Sequence, residues 1–265
     1  MMPHPPTQLG EHISTLRQAL RDVQHHPAPD PVHDLRSTIR RIEAVLQSEP
    51  EHSERFLETT KPIRKASGLL RDLDIQIDLL TQLAETPRLL AAILHDVQQL
   101  TRHLQKERDP QATKLQRKLD KHHAELRDLL DSMSTLEPAP VDQPGRLARI
   151  LFSESTAALD PRDPLQLHAI RKAARISRYL AETGPSGPKS VAARHFHHIH
   201  QVMGTWHDWL TLNETARDHL APDSPLLPLL AHNQNSAHTA TLQLLGPKTS
   251  ETPAKLAIVK TAAMA

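Results

Sequence analysis

The sequence of 265 residues contains no cysteine. Disulfide bonds, thiolate nucleophiles and cysteine-ligated zinc or iron–sulfur sites are therefore excluded. Aromatic residues make up only 2% of the chain, which leaves few surfaces on which bases can stack. We therefore expect no sequence-specific recognition of nucleic acid, whereas a ligand made of phosphate groups alone needs no stacking.

Long apolar runs and an excess of charge of one sign are also missing. No run approaches the roughly 20 residues that span a bilayer, and the start, MMPHPPTQLGEH, lacks the apolar core of a signal peptide. We therefore expect a cytoplasmic protein with no membrane partner. The 32 Lys and Arg face 31 Asp and Glu, for a formal net charge of +1, so any anion site must come from local sorting of charge.

The pattern of apolar residues predicts an all-α protein. These residues recur at spacings of three and four, strand-like alternation is missing, and the 38% of hydrophobic residues suffices for one large or two modest cores. Prolines punctuate the pattern and set the predicted helix ends. The predicted helices cover residues 7–25, 31–47, 61–84, 87–108, 110–133, 145–159, 164–182, 189–220 and 225–245.

Two short motifs each occur twice at nearly the same separation. The motif His-x-x-Arg-x-x-x-Arg lies at 33–40 and again at 168–175, an offset of 168 − 33 = 135. The motif Gly-x-x-x-Asp lies at 68–72 and again at 204–208, an offset of 204 − 68 = 136. Two independent markers at nearly one period predict an internal duplication.

The proline-rich stretch LEPAPVDQP falls where the duplication predicts a boundary. We therefore expect a first helical repeat at residues 1–137 and a second at 138–246. Small residues without amphipathic order predict a flexible tail at 247–265.

The repeated His/Arg motif indicates an anion site. On a helix its three side chains fall within an arc of roughly 60°, beside an apolar face. The guanidinium fork of arginine binds phosphate oxygens bidentately, so a stripe of arginines matches a linear array of phosphates. A further helix adds Lys61, Arg64 and Arg71 in one arc with Gly68. A single basic edge is typical of a solvated face with ion pairs, but its duplication favours an anion site.

Other candidate residues give weaker signals. We interpret Asp72 and Asp208 as partners of arginines. His197 and His200 have the i,i+3 spacing of zinc or nickel ligands, but no third ligand accompanies them, so we predict no metal site. The sequence contains no glycine-rich phosphate loop, nucleophile elbow or His-Glu-x-x-His motif, and we expect neither enzyme activity nor a cofactor.

Three stretches resemble the CHAD family, the conserved histidine α-helical domain: VHDLRSTIRRIEAVL, GLLRDLDIQIDLL and LHAIRKAARISRYLAE. The resemblance covers residues 8–245. It implies two pseudo-symmetric four-helix bundles whose basic central face binds inorganic polyphosphate, in association with polyphosphate granules and their proteins. The binding residues that it implies are His33, Arg36, Arg40, Arg41, Arg64, Lys65, Arg71, His168, Arg171, Lys172, Arg175 and Arg178.

The chain departs from the family pattern at His200 and His207, where basic or polar residues are commoner, so we expect an affinity that is lower or more dependent on pH. Two alternatives stay open. The first is a metal-dependent phosphohydrolase that uses the histidines with Asp72 or Asp208. The second is a scaffold whose basic face docks an acidic protein partner.

Overall fold

The structure is a computed structural model that describes residues 8–87, 89–138 and 140–246. None of these residues lies in a β-strand, which confirms the all-α prediction, whereas the predicted flexible tail lies outside the described residues. Short 3₁₀ turns occupy Leu46–Ser48 and Gly187–Lys189. The α-helices are α1 Gln8–His25, α2 Pro29–Val45, α3 Pro50–Ala84, α4 Ala91–Met133, α5 Pro144–Thr156, α6 Pro164–Glu182, α7 Val191–His219 and α8 Leu226–Leu245.

Local sequence explains several helix starts. A proline stands in the first turn of α2, α3, α5 and α6, where its missing N–H is not needed. Asp163 caps α6 by accepting a hydrogen bond from the Leu165 N–H at 2.9 Å. Ser190 caps α7 in the same way, accepting from the Ala193 N–H at 3.1 Å.

The prediction that Pro62 lies in the first turn of a helix beginning at Lys61 is wrong, because α3 begins at Pro50. A proline in a helix interior removes one backbone hydrogen bond and crowds the preceding turn. Side chains donate to carbonyls of that turn in α3: the Thr60 hydroxyl to Phe56 at 2.6 Å and Arg64 Nη2 to Leu57 at 3.1 Å. These bonds help the helix to continue.

The predicted break between residues 108 and 110 is also wrong, because α4 runs through Pro110 without interruption. Leu104 and Leu115 are fully buried on the two sides of the proline, so core packing holds both segments in one line. Arg108 adds an anchor, since its Nε donates to Asp74 of α3 at 2.6 Å.

The packing of the helices follows their order along the chain. Helices α1 to α4 pack against one another, and so do α5 to α8. Contacts between these two groups join α2 to α6, α3 to α7 and α4 to α8. Within the described residues, no helix has the length and apolar character needed to cross a bilayer.

Three apolar clusters fill the interior. The first belongs to α1–α4 and includes Leu35 and Phe56, and the second belongs to α5–α8 and includes Phe196. The third is shared, because it joins Leu80 of α3 to residues of α4, α7 and α8, among them Leu212. This shared cluster and the α2–α6 contact together fix how the two groups of helices meet.

Candidate functional site

The two His/Arg motifs lie on α2 and α6, the helices that meet at the centre of the molecule. Buried apolar residues such as Leu35 on α2 and Ile170 on α6 anchor one face of each helix. The neighbouring edges carry Arg36, Arg40, Arg171 and Arg175, whose charges interact with one another across the contact between the helices. The edges that the sequence predicts separately are thus brought together.

Arg36 is held against α3 by contacts to its backbone. Its Nη1 donates to the carbonyl oxygen of Arg64 at 3.1 Å and to the Ser67 hydroxyl at 3.4 Å. A Cβ atom at Gly68 would lie 3.1 Å from the same nitrogen, so the glycine leaves room for the guanidinium. A Cβ atom at Gly204, the matching position of α7, would have no neighbouring atom within 4 Å.

The arginines on α6 lie in a partly desolvated and strongly positive environment. Burial, followed by repulsion from Arg40 and Arg171, lowers the pKa of Arg175 to about 10. Burial also lowers the pKa of Arg171, although Asp208 and Asp72 oppose that shift. Arg171 Nε is buried and has no hydrogen-bond partner among the described residues. An unsatisfied guanidinium among like charges favours the approach of an anion.

Asp72 of α3 and Asp208 of α7 provide the carboxylates next to this positive charge. Desolvation raises the pKa of Asp72, and the charges of Arg36, His207 and Arg171 oppose the rise. The Asp72 side chain is nevertheless accessible to solvent. Asp72 and Asp208 thus influence the charges of Arg36 and Arg171 from a distance. Among the described residues neither aspartate forms an ion pair with an arginine, and Asp208 lies 3.7 Å from the Nδ1 atom of His207.

Three histidines lie beside the arginines. Burial, followed by the charges of Arg171 and Arg175, lowers the pKa of His200 to about 3, so this ring is neutral at physiological pH. Burial and the neighbouring His207 lower the pKa of His168. The rings of His168 and His207 lie 5.3 Å apart between centroids. His200 therefore provides a neutral ring that can form hydrogen bonds beside the arginines.

Glu43 of α2 neutralises two of the predicted site residues. Arg40 Nη1 donates to Glu43 Oε2 at 2.8 Å, and Arg64 Nη1 lies 3.0 Å from Glu43 Oε1. The Glu43 side chain is only 15% exposed, so both contacts are shielded from water. This carboxylate fixes both arginines at the edge where α2 meets α3.

Glu182 at the end of α6 has the same role for two other arginines. Arg178 Nε donates to Glu182 Oε1 at 2.8 Å, and Arg41 Nε donates to Oε2 at 3.4 Å. The Glu182 side chain is only 7% exposed. Arg41 and Arg178 thus stabilise the α2–α6 contact, where the sequence predicts ligand-binding side chains.

The remaining predicted residues lie around this centre. Arg71 of α3 interacts with the charge of Arg36. Lys65 and Lys172 are exposed, and Lys172 lies near enough to His168 to lower its pKa, after burial and three closer charges. His33 is exposed at the start of α2, where its Nδ1 lies 3.3 Å from the neighbouring Asp34. We call the set of Arg36, Arg40, Arg71, His168, Arg171, Lys172, Arg175, His200 and His207 the central cluster.

The sequence-based set omits His200 and His207. A signal for them exists, because a shift of 136 residues carries Arg64 to position 200 (64 + 136 = 200) and Arg71 to position 207 (71 + 136 = 207). For Glu43 and Glu182 the signal is partial, because Arg40–Glu43 and Arg178–Glu182 have the i,i+3 and i,i+4 spacings of ion pairs within one helix. The contacts of Arg64 with Glu43 and of Arg41 with Glu182 join different helices and depend on the fold.

A family model and a solved structure show what this chain is similar to. The family model described as CHAD domain matches residues 7–217. The solved structure of PptA from Streptomyces chartreusis is similar, with a TM-score of 0.66 and 17% sequence identity, and the match covers 91% of this chain and 99% of that chain. At this identity the structural similarity establishes the fold alone. Curated protein sequences give no significant match.

Proposed function

Because the chain belongs to the CHAD domain family, we propose that it binds inorganic polyphosphate through the central cluster. The resemblance seen in the sequence is confirmed by the family match, and the ligand is the one that the resemblance implies. The function proposed is binding without chemistry, so the protein acts as a polyphosphate receptor and does not hydrolyse the polymer.

The convergence of arginines from α2 and α6 is the observation that carries this proposal. Arg36, Arg40, Arg171 and Arg175 are kept close together although their charges repel, and burial together with this repulsion lowers the pKa of Arg175 to about 10. Such an arrangement destabilises the unbound protein. A polyanion relieves the repulsion and satisfies buried donors such as Arg171 Nε, so the ligand that fits best carries many closely spaced negative charges.

Inorganic polyphosphate meets this requirement better than nucleic acid does. It presents phosphate oxygens and nothing else, whereas single-stranded DNA and RNA gain much of their affinity from bases stacked on aromatic rings. Both tryptophans of the chain lie in α7, and Trp206 is buried in the second apolar cluster. The central cluster therefore offers charge and contains no Trp, Tyr or Phe.

The two carboxylates near the central cluster add a condition to binding. Asp72 and Asp208 compensate part of the positive charge in the unbound protein. A single phosphate has to compete with them, whereas a chain of phosphates contacts several arginines at once and gains from multivalency. We therefore propose a preference for polymers over orthophosphate.

The test is a titration of the purified protein with long-chain polyphosphate at several salt concentrations. Arg36→Ala and Arg171→Ala should each weaken binding by about 1–3 kcal/mol, because each removes charge-assisted hydrogen bonds. The double variant should also show a smaller slope of log affinity against log salt, since fewer counterions are released. Double-stranded DNA should not displace the polymer from the wild-type protein.

The matched control is Arg117→Ala/Arg127→Ala, which removes the same charge from exposed positions of α4. Its affinity and salt slope should equal those of the wild type. If both double variants lose affinity equally, binding follows net charge and the site is wrongly assigned. Release of orthophosphate by the wild-type protein with a divalent metal, lost on Asp72→Asn, would instead establish the phosphohydrolase.

We further propose that residues 1–137 and 138–246 are two pseudo-symmetric four-helix bundles that arose by duplication. The internal packing of α1–α4 and of α5–α8, and the pairing of α2 with α6, support this proposal. In an experimental structure, α1–α4 should superpose on α5–α8 with Arg36 falling on Arg171. In cells, we propose association with polyphosphate granules, which a fluorescent fusion of the wild type and of the Arg36→Ala/Arg171→Ala variant would test.

A further inference from the structure

A group of three potential metal ligands lies at the contact between α4 and the end of α7. His103 and Glu107 are four residues apart on α4 and therefore lie on the same face of the helix. His219 is the last residue of α7. One ligand atom from each residue lies within 4.8 Å of the other two, and this is the one such group among the residues that the structure describes.

The two imidazoles converge on the same carboxylate oxygen. His103 Nε2 lies 3.2 Å from Glu107 Oε1, and His219 Nε2 lies 4.0 Å from that oxygen. Two ligands of a tetrahedral zinc ion lie about 3.4 Å apart, because the metal–ligand bonds are about 2.0–2.1 Å long. The observed distances therefore need only small side-chain rotations to fit an ion.

The Nε2 atom of His103 is a buried polar atom that points to a bound cation. The atom is buried and makes no hydrogen bond among the described residues, although the Glu107 carboxylate faces it. The ring of His103 also packs against that of His219, with 3.9 Å between centroids. A cation bound by both rings and the carboxylate would satisfy this nitrogen and would keep both imidazoles neutral.

The surroundings favour a site with an open coordination position. The histidines line a cleft of about 440 Å³ that also contains Gln99, Arg102 and Lys106. Leu100 and Leu220 form part of its wall and belong to the shared apolar cluster, which fixes both helices. The negative end of the α7 dipole favours a cation at His219, and Arg102 and Lys106 favour an anion as the remaining ligand.

We propose that His103, Glu107 and His219 bind one divalent transition metal ion, with zinc the ion that fits best. Two imidazoles and one carboxylate are the ligands of zinc sites that keep a position for water or an anion, and imidazole ligands disfavour magnesium and calcium. The site lies on α4 and α7, and none of its ligands belongs to the central cluster. The ion joins helices from the two groups and stabilises their contact.

The test is calorimetric titration of untagged, chelator-treated protein with zinc chloride. The wild type should bind one equivalent far more tightly than any further zinc, and His103→Ala, His219→Ala and Glu107→Gln should each weaken that equivalent at least tenfold. Zinc should raise the Tm of the wild type and leave that of the His103→Ala/His219→Ala double variant unchanged, because only an ion held by the folded site stabilises it.

His95→Ala is the control, since it removes an exposed histidine from the same helix. It should keep the tight equivalent. The proposal is overturned if the wild type binds zinc only weakly, or if the double variant keeps the tight equivalent. Circular dichroism of the metal-free variants tests whether they fold. Glu107→Gln removes the charge but keeps the shape of the side chain. Polyphosphate titration of the same variants should give wild-type affinity, which separates this site from the proposed function.

Discussion

At the scale of single residues, Arg36 can lie against α3 because Gly68 has no side chain. The guanidinium donates to the backbone of α3, and its Nη1 lies 3.1 Å from the position that a Cβ atom of residue 68 would take. The same position of α7, Gly204, borders open space. The two glycines share a motif in the sequence, yet only Gly68 lies close to a side chain of another helix.

This difference provides a matched pair of substitutions. Gly204→Ala should raise the free energy of unfolding by about 0.5–1 kcal/mol, because alanine is the better helix former, and should leave polyphosphate affinity unchanged. Gly68→Ala should gain less stability and weaken binding several-fold, since its methyl group has to displace Arg36. Urea denaturation and polyphosphate titration measure the two effects, and equal affinities of the two variants would contradict the assigned role of Gly68.

His200 makes the stability of the unbound protein depend on pH. Its pKa is about 3 in the folded protein against an ordinary value of 6.5, so below pH 6.5 the unfolded chain binds a proton that the folded chain does not. Stability should therefore fall as the pH is lowered from 6.5 towards 3. Between pH 7 and pH 5, wild type should lose about 1–2 kcal/mol more than His200→Gln does.

Denaturant unfolding of the two proteins at several pH values measures this difference. His95→Gln, at an exposed position of α4, should behave as wild type. Polyphosphate should reduce the loss, because a neighbouring anion stabilises the protonated ring. Parallel pH profiles of wild type and His200→Gln would show that the ring is not held in its neutral form.

The sequence indicates which arginines share a helix edge, but it does not indicate which of them an acid neutralises. Arg36 and Arg171 are identified by their motif, and the structure leaves both without a carboxylate within ion-pair distance among the described residues. Arg41 and Arg178 have the same spacing signal, yet both contact Glu182. The Arg178–Glu182 contact is an i,i+4 pair within α6 that the sequence allows. The Arg41–Glu182 contact depends on the crossing of α2 and α6, which periodicity alone does not encode.

At the scale of helices, apolar periodicity predicts most elements within a few residues. The helix predicted at 164–182 has the bounds of α6, because a proline and an aspartate cap mark its start. A proline is a wrong signal for a helix end where the packing of its neighbours outweighs its energetic cost in the helix. Pro62 and Pro110 both lie inside long helices whose flanking residues are buried in the core.

The continuity of α4 leads to a prediction about its proline. Pro110→Ala should raise the free energy of unfolding by about 1–3 kcal/mol, because it restores a backbone hydrogen bond and removes a clash in the helix interior. Pro164→Ala is the matched control, since a proline in the first turn of α6 costs nothing and its loss should change stability by less than about 0.5 kcal/mol. Chemical denaturation measures both, and equal effects would mean that α4 is interrupted at Pro110.

At the scale of the whole molecule, the shared apolar cluster makes the two groups of helices unfold together. Leu80 of α3 and Leu212 of α7 are fully buried in it. Glu182 adds a second link, because it accepts from Arg41 of α2 while its backbone carbonyl accepts from Gln8 of α1 at 3.3 Å. Separate unfolding of either group would expose these contacts to water.

The positions of the tryptophans allow a direct test. Trp206 and Trp209 are the two tryptophans of the chain and both lie in α7, so fluorescence reports on the second group of helices, whereas circular dichroism reports on all of them. The two denaturation curves should coincide. A fluorescence transition at a different midpoint would show that the groups unfold separately.

The exchange of arginine for histidine between α3 and α7 gives the central cluster two unlike ends. Arg71 of α3 carries a permanent charge, whereas the position 136 residues later on α7 is His207. His200, which precedes it on α7 in the second half of the cluster, is neutral at physiological pH because burial and the nearby arginines lower its pKa to about 3. A linear polyanion would therefore be held more strongly at the α3 end of the cluster than at the α7 end.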